Sequence, residues 1–330
     1  MINNYEITPI IAISKCINFA KCRYNGDGDN NEFVTRLNPF VKFIPFCPEV
    51  EIGMSTPRKP IRLVEVNKEI HLIQPATQLD LTSNMQKYTT SLMTRLINVD
   101  GFILKTRSPS CGIKEVKIYQ SAKKGATSKK GRGMVGGEII NTYSHLPIED
   151  DGRLRNFKIR EHFLTKLYVM AKFKRVILSE SIDNLQSFHS SNNLLMMAYN
   201  QIRLKELNKI INQADNLSFD DIVAVYEKYL AKIFRIAPRY TSNITVLLNC
   251  VEYFKKDISE EEFNFINSLV EEYRNHKVPF SVPLNVIKAY VIRFHIHYLI
   301  NQSFFDPFPK ELMDVNDSGK GTNNSKLFSY

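Results

Sequence analysis

The sequence predicts an α/β N-terminal domain with cysteine-bearing loops at strand ends, followed by an all-α C-terminal domain, and three observations lead to that fold class. Short apolar, β-favouring runs alternate with segments of helical period over residues 1–148. Beyond Glu149 the apolar positions recur every three or four residues instead. Three of the cysteines, Cys16, Cys47 and Cys111, each follow closely on an apolar run of the first half. A chain of 330 residues is long for one core and comfortable for two. Residues 1–148 and 149–313 are therefore read as two domains, and 314–330, rich in Asn, Ser and Gly, as a disordered tail.

Taken in order, residues 9–13, 41–46 and 101–105 are the expected strands. A helix is expected over residues 79–97, where Leu81, Met85, Tyr88, Leu92 and Leu96 are spaced by three or four. The composition then changes over residues 121–137 to Lys, Gly, Ser and Thr, which reads as a mobile basic loop. Such a loop is either a solvated linker or a flap that closes over a phosphate-bearing substrate. In the second half Phe163, Leu167, Met170 and Ala171 form one core stripe. Ser218 with Asp221 opens another helix carrying Ile222, Val225, Tyr226, Tyr229 and Ile233. Ser259 with Glu262 makes a capping box ahead of Phe263, Ile266, Leu269, Val270 and Tyr273. Pro279 and Pro283 interrupt the chain before a stripe of Leu284, Ile287, Val291, Phe294 and Tyr298, and Pro307 with Pro309 ends the regular structure.

Composition narrows the function classes. Hydrophobic residues are 43% and charged residues 24% of the chain, as in an ordinary globular protein. No apolar run approaches the ~20 residues that span a bilayer, and the first residues lack a charged flank followed by an apolar core, so a cytoplasmic protein without a membrane segment is expected. Five cysteines without a secretory signal point to thiols, metal ligands or catalytic groups before disulfides. The net charge of +10 is uneven: residues 1–148 hold 20 Lys and Arg against 12 Asp and Glu, and residues 149–330 hold 24 against 22. Within the second half the stretch from Arg153 to Arg175 has Glu161 as its one acid. This balance permits a polyanionic partner without requiring one.

The chemistry concentrates in three loops: Ser14-Lys15-Cys16, Pro45-Phe46-Cys47-Pro48-Glu49 and Ser108-Pro109-Ser110-Cys111-Gly112. If the strands before them are neighbours, three thiols meet outside the carboxyl ends of a parallel sheet, where ligands gather in such folds. Thiolates are the usual ligands of iron–sulfur clusters, and three of them leave one iron open. The alternative is that the cysteines are small hydrophobes at strand ends.

Four ordered motifs carry a resemblance that decides between these. Ser14 to Cys16, Arg23 to Gly26, Cys47 to Glu49 with Thr56 to Arg58, and Lys105 to Gly112 resemble in order the motifs of the thiouracil desulfidase family. Two departures stand out: Ile17-Asn18-Phe19 where the family usually has Leu-Leu-Gly, and Asn25 where it has Asp. The second half, from Leu146 to about Leu312, resembles the YbgA-like helical domain fused to this domain in many bacterial proteins. That match includes Asp151-Gly152-Arg153-Leu154, Phe188-His189-Ser190 and Asp306-Pro307-Phe308-Pro309. Where that family shows further histidines this chain has Asn192 or Asn193, Tyr199 and Asn249, and the remaining His189 reads as a hydrogen-bonded structural residue.

The resemblance implies a 4Fe-4S cluster on Cys16, Cys47 and Cys111 whose fourth iron takes the thione sulfur of the substrate. It further implies Glu49 as the acid or base that activates water or moves a proton on the ring, and Ser108 as a proton relay. Glu49 has a plainer alternative as the salt-bridge partner of Arg58 or Arg107. Cys22 is not counted as a ligand, and Cys250 falls in a helical core stripe. The fused form resembles the bacterial enzymes that desulfurise 4-thiouridine in tRNA, which makes tRNA the expected partner and a free thiolated uracil the alternative substrate. A cluster-binding sensor is the non-enzymatic alternative.

Overall fold

The computed structural model describes residues 7–212 and 218–313. The tail expected from residue 314 lies outside the described residues. The chain divides into two compact units: the described residues through Ala171 with 311–313, and Lys172–Lys310.

In the first unit the chain runs β1 (Ile10–Ser14), α1 (Glu32–Leu37), β2 (Lys42–Phe46), α2 (Pro48–Glu51), β3 (Arg62–Val66), β4 (Glu69–Gln74), β5 (Leu79–Asp80), α3 (Thr82–Arg95), β6 (Gly101–Leu104), β7 (Val116–Tyr119), β8 (Ser128–Gly131), α4 (Met134–Thr142) and β9 (Ile148–Asp150). A four-stranded sheet has the order β2-β1-β6-β9, and each of its pairs is parallel. Ile11, Ala12 and Ile13 in β1 and Phe102, Ile103 and Leu104 in β6 are fully buried, the pattern of a parallel sheet covered on both faces. The following helix, α5 (Phe157–Ser179), supplies part of that cover: Leu167 packs so closely over Gly101 that an added Cβ there would lie 3.0 Å from its side chain.

The three expected strands are present within a residue of their expected ends. The expected helix over 79–97 begins later, at Thr82, because Leu79 and Asp80 pair with β4 and the Asp80 carboxylate accepts the Thr82 N–H at 2.8 Å. A second, five-stranded sheet in the order β5-β4-β3-β7-β8 has no counterpart among the strands expected from sequence. Its strands are short and charged: Glu69 and Lys117 stand on exposed faces, and β8 is Ser-Lys-Lys-Gly. The edge strands β5 and β8 carry no hydrophobic alternation to read, and the inner strands show it over only a few residues.

That sheet corrects the expected mobile loop over 121–137. Residues 128–131 pair with β7 as an antiparallel strand, and residues 134–137 are already helical. At Gly131 the tip of the Ile118 side chain occupies the space a Cβ would fill, so the two residues pack across the ladder.

The second unit is helical: the end of α5, then α6 (Ile182–Ser191), α7 (Asn193–Asn212), α8 (Phe219–Ile233), α9 (Tyr240–Val251), α10 (Glu260–Arg274), α11 (Ser281–Arg293) and α12 (His297–Ile300). The Ser259 and Glu262 capping box forms as expected, with bonds of 3.1 and 2.8 Å. Its core includes Phe173 stacked on Tyr226 at 5.2 Å between centroids. His189 is buried there with both nitrogens engaged, by the Tyr226 hydroxyl at 3.0 Å and Asn208 Oδ1 at 2.9 Å, the structural role expected of it. Cys250 is fully buried on α9.

Candidate active site

The loops bearing the cysteines leave the carboxyl ends of β2, β1 and β6, three adjacent parallel strands. The chain passes from β1 to β2 on one flank and then returns to β6 on the other, so the crevice over β1 is the switch point where a ligand gathers. A cavity of about 190 Å³ opens there. Its wall holds Cys16, Cys47, Cys111, Glu49 and Ser108, so the five candidate residues of the sequence converge in one place.

Each loop has a local reason for its shape. In the first, Asn18 adopts the left-handed region (φ 65°), which Asn tolerates better than most residues. Its side chain then ties the loop down, donating to the Asn31 carbonyl at 3.0 Å and accepting the Asn31 N–H at 2.6 Å. The departure from Leu-Leu-Gly thus places a residue suited to the turn that the backbone makes. Asn25, the other departure, bonds to Asp27 and is not part of the cavity wall.

In the second loop Pro48 directly follows Cys47 and starts α2 without a wasted N–H, which sets Glu49 in the first helical turn. In the third, the Ser108 hydroxyl oxygen accepts the N–H groups of Ser110 at 3.2 Å and Cys111 at 3.1 Å. The start of α4 clamps this loop from outside. Gly133 N–H donates to the Gly112 carbonyl at 2.7 Å, and Val135 and Gly136 N–H both donate to the Ser110 carbonyl at 3.0 Å. A Cβ on Gly133 or Gly136 would collide with the carbonyls of Ser110 or Cys111, so glycine is what permits the approach. The glycine-rich segment holds the Cys111 loop in place.

The Glu49 carboxylate is fixed from two sides. Arg58 Nε donates to Oε2 at 2.8 Å and its Nη2 contacts the same oxygen, while the Ser110 hydroxyl donates to Oε1 at 2.9 Å. The Arg58 and Glu49 side chains are 4% and 13% exposed, so the pair is largely out of bulk water. Of the two salt bridges weighed from sequence, the one to Arg58 forms, and Arg107 pairs with Glu115 instead. Ser110, fully buried, is a contributor that sequence reasoning passed over although it lies within the fourth motif. On the same wall, Lys105 Nζ bonds to Asp29 and to Asp151 Oδ2, the latter at 2.6 Å, and Ser14 Oγ accepts the Lys105 N–H at 2.9 Å. Burial opposes the charge on Lys105, but the bonds to Asp151 and Asp29 outweigh it and its pKa rises.

Two of the ligand candidates resist ionising as they stand. The Cys47 thiol is pushed up by its hydrogen bond with Cys22 and then by burial, and burial pushes up that of Cys111. Cys22 lines the same cavity at 7% exposure, with its thiol hydrogen-bonded to those of Cys16 and Cys47. Four thiols therefore face one cavity with Lys15, Arg23, Arg58, Lys105 and Arg107 also on its wall. Among the described residues no three His, Cys, Asp or Glu side chains close on a single metal ion. Soft sulfur donors gathered around one cavity fit an iron–sulfur cluster, whose irons would displace the thiol protons on binding.

Beside this cavity lies a groove of about 610 Å³ that shares Tyr24, Glu49, Arg107 and Pro109 with it and adds Arg62, Lys117, Tyr119 and Lys130. Arg62 stacks over the Tyr119 ring at 4.7 Å. The other basic stretch singled out from sequence is partly interior: Arg160 and Lys166 are buried, with Lys166 Nζ donating to the Leu146 carbonyl at 3.0 Å, and Arg153 pairs with Glu149.

Residues 11–151 match the model of the 2-thiouracil desulfurase family, and residues 193–309 match that of a family of unknown function, DUF1722. The uncharacterized protein YbbK of Bacillus subtilis is 33% identical over 110 residues, which are 31% of this chain and 73% of that protein. The uncharacterized protein YbgA of Escherichia coli is 25% identical over 138 residues, 41% of this chain and 80% of that one. Among solved structures, the [4Fe-4S]-dependent thiouracil desulfidase TudS is similar at 24% identity with a TM-score of 0.37, covering 44% of this chain and 93% of TudS. With the matched family segment ending at Asp151 and enclosing the whole cysteine cavity, the chain belongs to the 2-thiouracil desulfurase family, enzymes that cleave a carbon–sulfur bond.

Proposed function

We propose that the chain is an iron–sulfur-dependent desulfidase that converts a thiolated uracil to uracil and sulfide, with Cys16, Cys47 and Cys111 holding a 4Fe-4S cluster. The observation that carries this reading is the convergence of those thiols with a clamped carboxylate, Glu49, at the switch point of the parallel sheet. The cluster, when bound, supplies a Lewis-acidic iron that draws electrons from a carbon–sulfur double bond.

The remaining work falls to the chain's own side chains. Glu49 takes a proton from the water that attacks the ring carbon, or moves one on the ring. Arg58 and Ser110 keep its two oxygens oriented, so that the carboxylate does not have to be ordered in each turnover. The Ser108 hydroxyl accepts two backbone N–H groups and keeps its own proton to donate. Lys105, fixed by Asp29 and Asp151, ties the end of β6 to the Cys16 loop and so keeps the cysteine loops in register. Substrate carbon–sulfur bond, water and product balance without external electrons.

The family match favours a thiolated uracil ring as the substrate in its free form. A second reading, 4-thiouridine in tRNA, rests on the adjoining groove: Arg62, Arg107, Lys117 and Lys130 would meet phosphates while the base swings into the cavity. Anaerobic reconstitution followed by sulfide release from free thiouracils and from thiolated tRNA tests both. Salt-sensitive binding and faster turnover of tRNA support the second, and turnover of the free base alone supports the first.

A further inference from the structure

The cavity holds one sulfur more than the cluster reading needs. Cys22 belongs to the loop between β1 and α1, which folds back on Cys16: Asp29 N–H donates to the Cys16 carbonyl at 2.8 Å, and Ile17 and Asp29 form a bridge. The fold-back turns the Cys22 side chain inward, to the wall that the three other thiols share. Its carbonyl accepts Arg58 Nη2 at 3.1 Å, and the same guanidinium holds Glu49. The loop is thereby anchored to the carboxylate that acts on substrate.

We propose that Cys22 is a fourth thiolate ligand at this cavity, closing in the substrate-free protein the iron position that Cys16, Cys47 and Cys111 leave open. The inference rests on the cluster reading above. A buried thiol among metal-bound thiolates is the strongest donor within reach of an open iron, and binding releases its proton to solvent. When substrate arrives, the bond from iron to Cys22 breaks and the thiolate takes back one proton from solvent. The substrate sulfur then fills the vacated position with its lone pair, and no electron changes hands. The Cys22 carbonyl and Glu49 share Arg58, so release of the thiolate is felt at the carboxylate. A closed iron at rest also keeps oxygen and stray ligands off the cluster.

The experiment compares the anaerobically reconstituted full-length chain with its Cys22→Ala variant. Iron and acid-labile sulfide are counted, and the electron paramagnetic resonance spectrum of the reduced cluster is recorded during titration with 2-mercaptoethanol as an external ligand. We expect equal iron content, a shifted spectrum, and a response to 2-mercaptoethanol at about one-tenth of the wild-type concentration, because the internal competitor is gone. Equal iron with superimposable spectra and equal titration midpoints would overturn the proposal. No iron in either protein would overturn it together with the cluster reading. If Cys22→Ala alone takes up less iron, melting of the iron-free protein separates the causes. Unchanged melting supports ligation; a large fall moves the same two measurements to Cys22→Ser, which keeps the volume and offers a weaker donor.

Discussion

Arg58 holds Glu49 Oε2 with two of its nitrogens and the Cys22 carbonyl with one of them, joining a candidate catalytic carboxylate to a cysteine loop. Breaking a hydrogen-bonded pair this far from bulk water leaves a charge without its partner. Arg58→Ala should therefore cost about 3–5 kcal/mol of stability, read from denaturant unfolding of the iron-free chain. A cost below about 1 kcal/mol, the range of exposed pairs, would show the pair to be solvated.

Glu49→Gln should retain the cluster absorption and lose roughly 100-fold to 10,000-fold in turnover, the usual worth of a general acid or base. Ser108→Ala should lose turnover as well, but with a second effect. Its oxygen also accepts the Ser110 and Cys111 N–H groups, so the variant should lose about 1 kcal/mol of stability. Near-normal rates in both variants with intact cluster absorption would remove these roles.

Iron and sulfide analysis should find cluster in Cys22→Ala and none in Cys16→Ala, Cys47→Ala or Cys111→Ala. Each of the last three takes away one of the thiolates proposed to hold the group. A full complement of iron in any of them would break the assignment.

Acid should act on the Lys105 network through Asp29. The hydrogen bond from Lys105 holds the Asp29 carboxyl below the usual carboxylate range. As pH falls, the unfolded chain binds the proton first, so the stabilisation is complete above the ordinary carboxylate pKa and is lost as pH falls through the folded value. Asp29→Asn should flatten the acid limb of melting temperature against pH for the iron-free chain. An unchanged slope between about pH 5 and pH 2 would mean that another group sets it.

His189→Ala should destabilise the helical unit by about 1–3 kcal/mol, since the buried Tyr226 hydroxyl and Asn208 each lose a partner. Sulfide release, measured well below the melting transition, should be unaffected. A fall in rate without a fall in stability would give the histidine a part in the chemistry.

The legible parts of this molecule are those where one short motif carries both fold and chemistry. Apolar runs ending in Cys16, Cys47 and the Lys105–Gly112 loop announce parallel strands and their carboxyl ends in the same residues. What could not be read depends on pairing across distance. In the sheet of β3, β4, β5, β7 and β8 the edge strands Leu79–Asp80 and Ser128–Gly131 carry no hydrophobic period, and the inner strands Arg62–Val66, Glu69–Gln74 and Val116–Tyr119 each place only two or three apolar residues among charged ones. The clamp of α4 on the Cys111 loop lies in Gly133 and Gly136, whose spacing looks like a flexible linker until Ser110 is placed against them. Cys22 gives no local sign of facing Cys16, because a bridge between Ile17 and Asp29 turns it inward.

Sulfide release separates a desulfidase from a chain that only binds a cluster. The anaerobically reconstituted full-length chain is incubated with 2-thiouracil, 4-thiouracil and 4-thiouridine-bearing tRNA, and sulfide is counted against the desulfurised product. Sulfide and product should appear in equal amounts from at least one of these substrates, over many turnovers and without added reductant, and none from the iron-free chain. A fully loaded cluster that releases no sulfide from any of them, or equal activity in the iron-free chain, would contradict the desulfidase reading.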